Sequence, residues 1–251
     1  MSDVVLVTGA SRGIGRAIAV ELAKEGYALA VNFHGSREGA EETVRLCRAA
    51  GVPAEAFRAD VSDYAQARQL ISDVLGTMGG LYGVIANAGI GPKFGYVAET
   101  DPSDWKRMMD VNVDGVFHTF HAAAPHLIER QRGRMIAISS LATRYCNPGY
   151  GAYAVSKSAV DALVRVMGKE MAQYGVRVTA VAPGLFDTEM GRATIVRYGQ
   201  AAVDASIPAQ RVDRPEEIGW LVAFLLSDKA DFITGDVIPI NGGGRGVPLR
   251  P

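Results

Sequence analysis

Val4-Val5-Leu6-Val7-Thr8-Gly9-Ala10-Ser11-Arg12-Gly13-Ile14-Gly15 is the stretch whose reading decides the fold. Its first five residues form a short β-branched apolar run, the pattern of a strand buried on both faces. Ile14, Ile18 and Leu22 then recur at helical spacing, so a helix follows the glycines. A strand, a glycine-rich turn and a helix together make a phosphate site. Glycine lets the backbone approach a pyrophosphate, and the helix N-terminus offers unpaired N–H groups and the positive end of its dipole. The spacing is Gly-x-x-x-Gly-x-Gly, not the dinucleotide fingerprint Gly-x-Gly-x-x-Gly. In isolation it would be a plain tight turn; between a strand and a helix it is assigned to a cofactor, with Gly9, Ser11, Arg12, Gly13, Ile14 and Gly15 as its contacts.

Outward from this stretch, short apolar runs alternate with longer amphipathic segments. Strands are expected at 28–32, 54–58, 83–87, 134–139, 176–181 and 237–240. Helices are expected at 38–50, 63–78, from about Asn112, at 152–173 and at 215–226, the last with Pro215 in its first turn. The helix from Asn112 carries Val113, Val116, Phe117, Phe120 and Leu127 on one stripe, and Pro125 should bend it. This alternation predicts an α/β fold: one Rossmann-type domain over residues 1–251, a doubly wound parallel sheet of about seven strands with helices on both faces.

Composition narrows the function classes. The chain has 251 residues, 48% of them hydrophobic, and a net charge of −1. That suits a full core and offers no basic surface for nucleic acid. No secretory leader pattern or bilayer-length apolar stretch is seen, so no membrane partner is expected. Cys47 and Cys146 do not make a disulfide framework, and a reducing cytoplasm is the expected location.

Tyr153 and Lys157 share one helix face. A free phenol has a pKa of about 10, and a neighbouring cation can lower it by roughly 1–3 units. That makes it usable for proton transfer at neutral pH. The same spacing is common on ordinary helix surfaces, so its weight comes from the other motifs. In doubly wound sheets ligands bind beyond the carboxyl ends of the strands. Gly9 to Gly15, Asn87-Ala88-Gly89, Ser140 and Pro183-Gly184 all fall at such ends.

Taken in order, Thr8-Gly9-x-x-x-Gly13-x-Gly15, Asp60-Val61, Asn87-Ala88-Gly89, Asn112, Ser140, Tyr153-x-x-x-Lys157, Pro183-Gly184 with Thr188, and Asn241-Gly242-Gly243 resemble the classical short-chain dehydrogenase/reductase family. The resemblance covers nearly the whole chain and is greatest to the 3-oxoacyl-[acyl-carrier-protein] reductases. Ala86 departs from the asparagine often found before Asn87. The resemblance implies hydride transfer between a nicotinamide and a carbonyl or secondary alcohol. Tyr153 would be the acid in reduction and the base in oxidation. Lys157 would lower the tyrosine pKa and hydrogen-bond the nicotinamide ribose. Ser140 would hold the substrate oxygen, with family spacing favouring it over Ser139. Asn112 would support a proton-relaying water, and Asp60 and Val61 would flank the adenine. Asn87, Ala88, Gly89, Pro183, Gly184 and Thr188 would complete the cofactor contacts. A homotetramer is also implied, with the helices starting near Asn112 and Ala152 at an interface.

The cofactor's phosphate state follows from the end of the second strand. A carboxylate there would hold the ribose hydroxyls of NAD and repel an added phosphate. Asn32-Phe33-His34-Gly35-Ser36-Arg37 contains none. Arg12 and Arg37 can embrace a 2′-phosphate, with hydrogen bonds from Asn32 and Ser36, so NADP(H) is favoured over NAD(H). The alternative for either arginine is a solvated surface charge.

The expected partner is a small-molecule carbonyl or alcohol, covered by a loop at about 185–207. Met190, Ile195, Val196 and Tyr198 suit an apolar substrate, and Arg192 and Arg197 an anionic one. Sugars, polyols or cyclic secondary alcohols are the alternative substrates. A non-catalytic NADP(H)-binding regulator is the alternative of another class. Arg130, Arg132 and Arg134 form a basic cluster where related enzymes dock acyl carrier protein; Tyr174 replaces an arginine that often accompanies it, which argues against docking here. His118, His121 and His126 do not share one helix face, and no metal site is expected.

Overall fold

The computed structural model describes residues 2–244, with the side chains of Met190, Ala193, Thr194, Arg197 and Tyr198 outside that description. The apolar runs become the five inner strands because both of their faces are covered, while the edge strands at 54–58 and 237–240 are covered only in part. In chain order the elements are β1 (Val4–Val7), α1 (Gly13–Lys24), β2 (Ala28–Phe33), α2 (Arg37–Ala49), β3 (Ala54–Arg58) and α3 (Tyr64–Met78). Next come β4 (Gly83–Ala86), α4 (Pro102–Met109), α5 (Gly115–Glu129), β5 (Gly133–Ile138), α6 (Ala142–Tyr145) and α7 (Gly151–Met171). The chain continues through β6 (Val176–Pro183), α8 (Glu189–Tyr198), α9 (Gln200–Ser206), α10 (Pro215–Leu226) and β7 (Val237–Ile240).

The strands form one seven-stranded sheet in the order β3-β2-β1-β4-β5-β6-β7, all pairs parallel. Side chains alternate between its faces. Val4, Leu6, Val84 and Met135 pack with α3, α5 and α7. Val5, Val7, Ile85 and Ile136 pack with α1, α2 and α10. The order reverses between β1 and β4, which opens a crevice at their carboxyl ends.

Three features depart from the sequence reading. The helix expected from Asn112 starts earlier: α4 runs through a π-helical turn, Asp110–Asp114, into α5. Asp101 caps α4, accepting from the Ser103 N–H at 2.7 Å, and Pro102 occupies the first turn, where a missing N–H costs nothing. The apolar stripe also splits. Val116, Phe120 and Leu127 enter the core, whereas Phe117 is 44% exposed. Short helices α6, α8 and α9, not expected from periodicity, shape the rim of the crevice. The Arg245–Pro251 tail lies outside the described residues.

Candidate active site

The crevice is a cleft of about 980 Å³ at the carboxyl ends of the strands. All the expected site residues line it except Arg37 and Asn112. Its floor is the glycine turn. Gly9 and Gly13 have φ of 62° and 56°, values that favour glycine. A Cβ on Gly9 would lie 2.8 Å from the Ala88 Cα, and one on Gly15 would lie 2.5 Å from the Gly9 carbonyl oxygen and the Asn87 amide. The turn after β1 therefore sits directly on the turn after β4. Thr8 and Asn87 lock the two together: Thr8 Oγ1 accepts from the Asn87 and Ala88 N–H groups at 3.0 Å, and Asn87 Nδ2 donates to the Thr8 carbonyl at 2.8 Å.

No side chain caps the N-terminus of α1, and its first turn carries no acid. By contrast Ser36, Asp63, Asp101 and Thr188 cap α2, α3, α4 and α8. Open N–H groups, close-approach glycines and the cleft's size fit the pyrophosphate of a dinucleotide. Arg16, which the sequence reading missed, braces this turn against α2 by donating to the Ser11 and Gly39 carbonyls at 2.5 and 3.1 Å. Its spacing on α1 looks like any surface arginine, so only the fold reveals the role.

At the adenosine end several expectations need correction. Asn32 is 1% exposed and its amide is already committed: Oδ1 accepts from the Gly9 N–H, and Nδ2 donates to the Phe57 and Ala59 carbonyls. It braces the sheet and the glycine turn, leaving no donor for a phosphate. Arg37 does not line the cleft; its guanidinium lies over the Phe33 ring at 5.6 Å and pairs with Glu41 at 3.7 Å. Ser36 lines the cleft while its hydroxyl accepts from the Gly39 N–H as the α2 cap. Arg12 reaches across the mouth to Glu189 at the start of α8, both side chains exposed. His34 lines the same end and stands 3.4 Å from Asp60. Burial pushes the Asp60 carboxyl up, but hydrogen bonds from Ser62 and the charges of His34 and Arg107 outweigh it and hold it low.

The reacting end is built where β5 meets α7. Ser140 and Tyr153 share a side-chain hydrogen bond. Ser139 turns elsewhere, its hydroxyl donating to Asp161 at 2.5 Å. Lys157, 5% exposed, donates to the Ile138 carbonyl at 2.7 Å. The expected lowering of the tyrosine pKa by Lys157 is not found. Burial pushes the Tyr153 phenol above its ordinary value, Ser140 pulls it down, and Tyr150 adds to the rise. The same burial lowers Lys157 to about 8, opposed by Asp161. A low-polarity pocket disfavours charge of either sign, so the phenol and the ammonium both move towards neutrality.

Asn112 is fully buried and does not line the cleft. Its Oδ1 accepts from the Ile90 N–H at 2.8 Å, and its Nδ2 donates to the Ile90 carbonyl and to Ser156 Oγ at 3.1 Å. The amide ties the loop segment after Gly89 to α7. The π turn aims it inward, as such turns often do at functional positions. Thr188 lines the cleft and its hydroxyl caps α8 by accepting from the Gly191 N–H at 3.1 Å.

Aromatic residues the sequence reading missed wall the substrate end. Phe94 meets Tyr150 edge-on at 5.1 Å, and the Tyr145 hydroxyl donates to the Gly244 carbonyl at 2.9 Å. Among the described side chains of α8, neither Ile195 nor Val196 lines the cleft, whereas Leu185, Phe186 and Ile207 of the same loop do. Val196 is 86% exposed, and Arg192 points outward to Asp187 at 2.7 Å. The side chains of Met190, Arg197 and Tyr198 lie outside the described ones. Cys146 is exposed and does not line the cleft. The basic cluster is split: Arg134 is 3% exposed and 3.2 Å from Asp231, whereas Arg130 and Arg132 are exposed, Arg132 lying over Tyr82 at 4.3 Å.

A doubly wound sheet, an uncapped glycine turn and a buried Ser–Tyr–Lys group at one cleft define a nicotinamide-dependent oxidoreductase acting on CH–OH or C=O groups. Comparison with known proteins makes the class specific. The family model described as enoyl-(acyl carrier protein) reductase matches residues 9–244. The chain is 38% identical over 243 residues to the 3-oxoacyl-[acyl-carrier-protein] reductase of Staphylococcus aureus, covering 97% of this chain and 98% of that one. It is 40% identical to an uncharacterised oxidoreductase of Methylorubrum extorquens, covering 96% and 97%. Among solved structures, levodione reductase superposes with a TM-score of 0.92 at 30% identity, covering 96% of both chains. NAD+-bound xylitol dehydrogenase gives 0.92 at 31%, covering 96% of this chain and 98% of the other. The chain belongs to the short-chain dehydrogenase/reductase family.

Proposed function

We propose that the protein is an NADPH-dependent carbonyl reductase whose preferred substrate class is a 3-oxoacyl thioester. The observation that carries the reading is the meeting of Ser140, Tyr153 and Lys157 beside the uncapped glycine turn. The nicotinamide supplies the hydride when bound, or accepts it in the reverse direction. Ser140 donates a hydrogen bond to the carbonyl oxygen as negative charge develops on it. Tyr153 then delivers its proton to that oxygen. A phenol kept protonated by burial suits the reductive direction at neutral pH. Lys157 holds a positive charge beside the departing proton and offers its remaining donors to the cofactor ribose. Asn112 acts as a positioning residue, through Ile90 and Ser156.

Arg12 is the cation we assign to the 2′-phosphate. Its exposed pairing with Glu189 is of a kind worth only about 0–1 kcal/mol, so a doubly charged phosphate can displace the carboxylate. His34, Gly35 and the Ser36 backbone complete that end. The thioester preference is supported by the Staphylococcus aureus relative. Carrier-protein docking would draw on the exposed Arg130 and Arg132 alone, since Arg134 is buried against Asp231. The second reading, a cyclic or polyol secondary alcohol, is favoured by the two solved neighbours and by the aromatic wall of Phe94, Tyr145 and Tyr150.

The test is NADPH and NADH consumption against an acetoacetyl thioester, a cyclic diketone and a keto-sugar. Fastest turnover of the thioester with NADPH supports the first reading. Turnover confined to the diketone or keto-sugar moves the assignment to the second.

A further inference from the structure

Three consecutive residues at the end of β5 each hold one residue of a single face of α7. The Ile138 carbonyl accepts from Lys157 at 2.7 Å, the Ser139 hydroxyl donates to Asp161 at 2.5 Å, and the Ser140 hydroxyl bonds Tyr153. Tyr153, Lys157 and Asp161 follow one another at four-residue steps along that face. The outer two contacts belong to the chemistry already described. The middle one does not, yet it is the most secluded: Ser139 is 3% and Asp161 4% exposed. A buried carboxylate is expensive unless charge is wanted there, because an amide or an apolar residue would fill the space at lower cost.

Resting on the catalytic reading above, we propose that Ser139 and Asp161 are positioning residues for the reaction. Their hydrogen bond clamps the helix carrying Tyr153 and Lys157 to the strand end carrying Ser140, and the Asp161 charge keeps Lys157 protonated.

The Ser139 backbone fixes one jaw, since its N–H donates to the Val181 carbonyl at 2.7 Å and continues the β5–β6 ladder. Asp161 forms the other jaw, one helical turn beyond Lys157. Charge and grip can be separated by substitution. Around Asp161, a polar hollow of about 170 Å³ is lined by Thr143 and Arg144 of α6 and by Ser158 and Arg165 of α7. Both arginines are exposed, so water screens them, whereas Asp161 acts on Lys157 through the interior. Asp161 is the charge that opposes the downward push of burial on Lys157.

Asp161→Asn keeps the shape and can still accept from Ser139, but removes the charge. Ser139→Ala keeps the charge and opens the clamp. Each is assayed with NADPH and the fastest carbonyl of the panel above. For Asp161→Asn we expect the alkaline fall of kcat/KM to move to lower pH by about one unit, with rates recovering as the pH is lowered. The same displacement should appear in the cofactor-free protein, as the lowest-titrating lysine in a 13C-lysine NMR titration, assigned with Lys157→Arg. For Ser139→Ala we expect kcat to fall about tenfold at all pH values with KM little changed, because displacement of reacting groups is paid in rate. Ser139→Thr, which restores the hydroxyl, should recover most of it. Folded Asp161→Asn with an unmoved lysine titration and rate profile overturns the charge role, and unchanged kcat in Ser139→Ala overturns the clamp. Tyr153→Phe is measured alongside. If it retains turnover, the catalytic reading falls and takes the proposal with it; if it is inactive while Asp161→Asn and Ser139→Ala behave as wild type, the proposal alone is overturned.

Discussion

Burial decides the protonation of Tyr153 and Lys157, a pair whose spacing marks one helix face but whose role needed the other motifs to read. Sequence adjacency predicts attraction between a cation and a phenolate; burial, which only the fold supplies, reverses the outcome. The consequence is a phenol that remains protonated across the physiological range and an ammonium that is half deprotonated near pH 8. Tyr153→Phe should therefore lower turnover by at least about 100-fold while NADPH binding, followed by fluorescence, is retained. The pH profile of reduction has a definite sign. Lys157 is charged below about pH 8 and neutral above it, so kcat/KM should fall as pH rises through that value. A Lys157→Arg enzyme, charged throughout, should lose that limb even if its rate is lower. A flat wild-type profile from pH 6 to 10 would contradict the assignment. Asn32 and Arg37 mark the opposite limit of legibility. Their residue types suit a phosphate, but an amide's three hydrogen bonds and a guanidinium's ring contact are tertiary facts.

At the scale of elements, the glycine turn was readable because its requirements are local: a positive φ and no side chain at a close approach. Those two requirements separate Gly9 from Gly13. Both have positive φ, but a Cβ on Gly9 would press on the Ala88 backbone at 2.8 Å, whereas one on Gly13 would meet only Thr188 Cγ2, at 4.0 Å. Gly13→Ala should cost about 1–2 kcal/mol, the left-handed penalty alone. Gly9→Ala should cost more and also displace the Asn87–Gly89 turn, so its melting temperature and its cofactor affinity should fall further than those of Gly13→Ala. Equal losses would mean that the contact with Ala88 is easily relieved. Arg12→Ala addresses the same element from outside. It should weaken NADPH at least tenfold more than NADH, a difference read directly by isothermal titration, and equal losses would remove Arg12 from the phosphate. The five inner strands were visible as apolar runs because both of their faces are covered, whereas the edge strands β3 and β7 are covered only in part. The α4–π–α5 path was not, because an extra residue in one turn shifts the helical phase and breaks the stripe that periodicity follows.

At the scale of the whole molecule, the surface carries apolar groups on both sides of the sheet. On one side stand Phe117 of α5 and Val155 and Val166 of α7, between 44% and 54% exposed. On the other, Trp220 and Phe224 of α10 are 52% and 42% exposed. Bulky side chains grouped at this exposure on regular helices are what isologous contacts use, and two such faces on opposite sides let twofold pairs associate into a tetramer. The sequence reading placed an interface on α5 and α7 but could not tell the outward part of the stripe from the part that enters the core. Val116 and Phe120 flank Phe117 on either side in the sequence stripe, yet both are buried in the monomer, so Phe117 is the position that tests assembly without disturbing the core. Phe117→Glu places a charge on that face while leaving the α5 backbone and its inner stripe intact. We expect wild type to run as a tetramer by light scattering and Phe117→Glu to run at half that mass or less, with an unchanged far-ultraviolet circular dichroism spectrum. The Tyr64–His121 contact beside it, 3.0 Å from hydroxyl to ring nitrogen, lies within each chain and should survive the dissociation. A Phe117→Glu protein that stays tetrameric would move the interface off α5, and a monomeric wild type would remove the need for one.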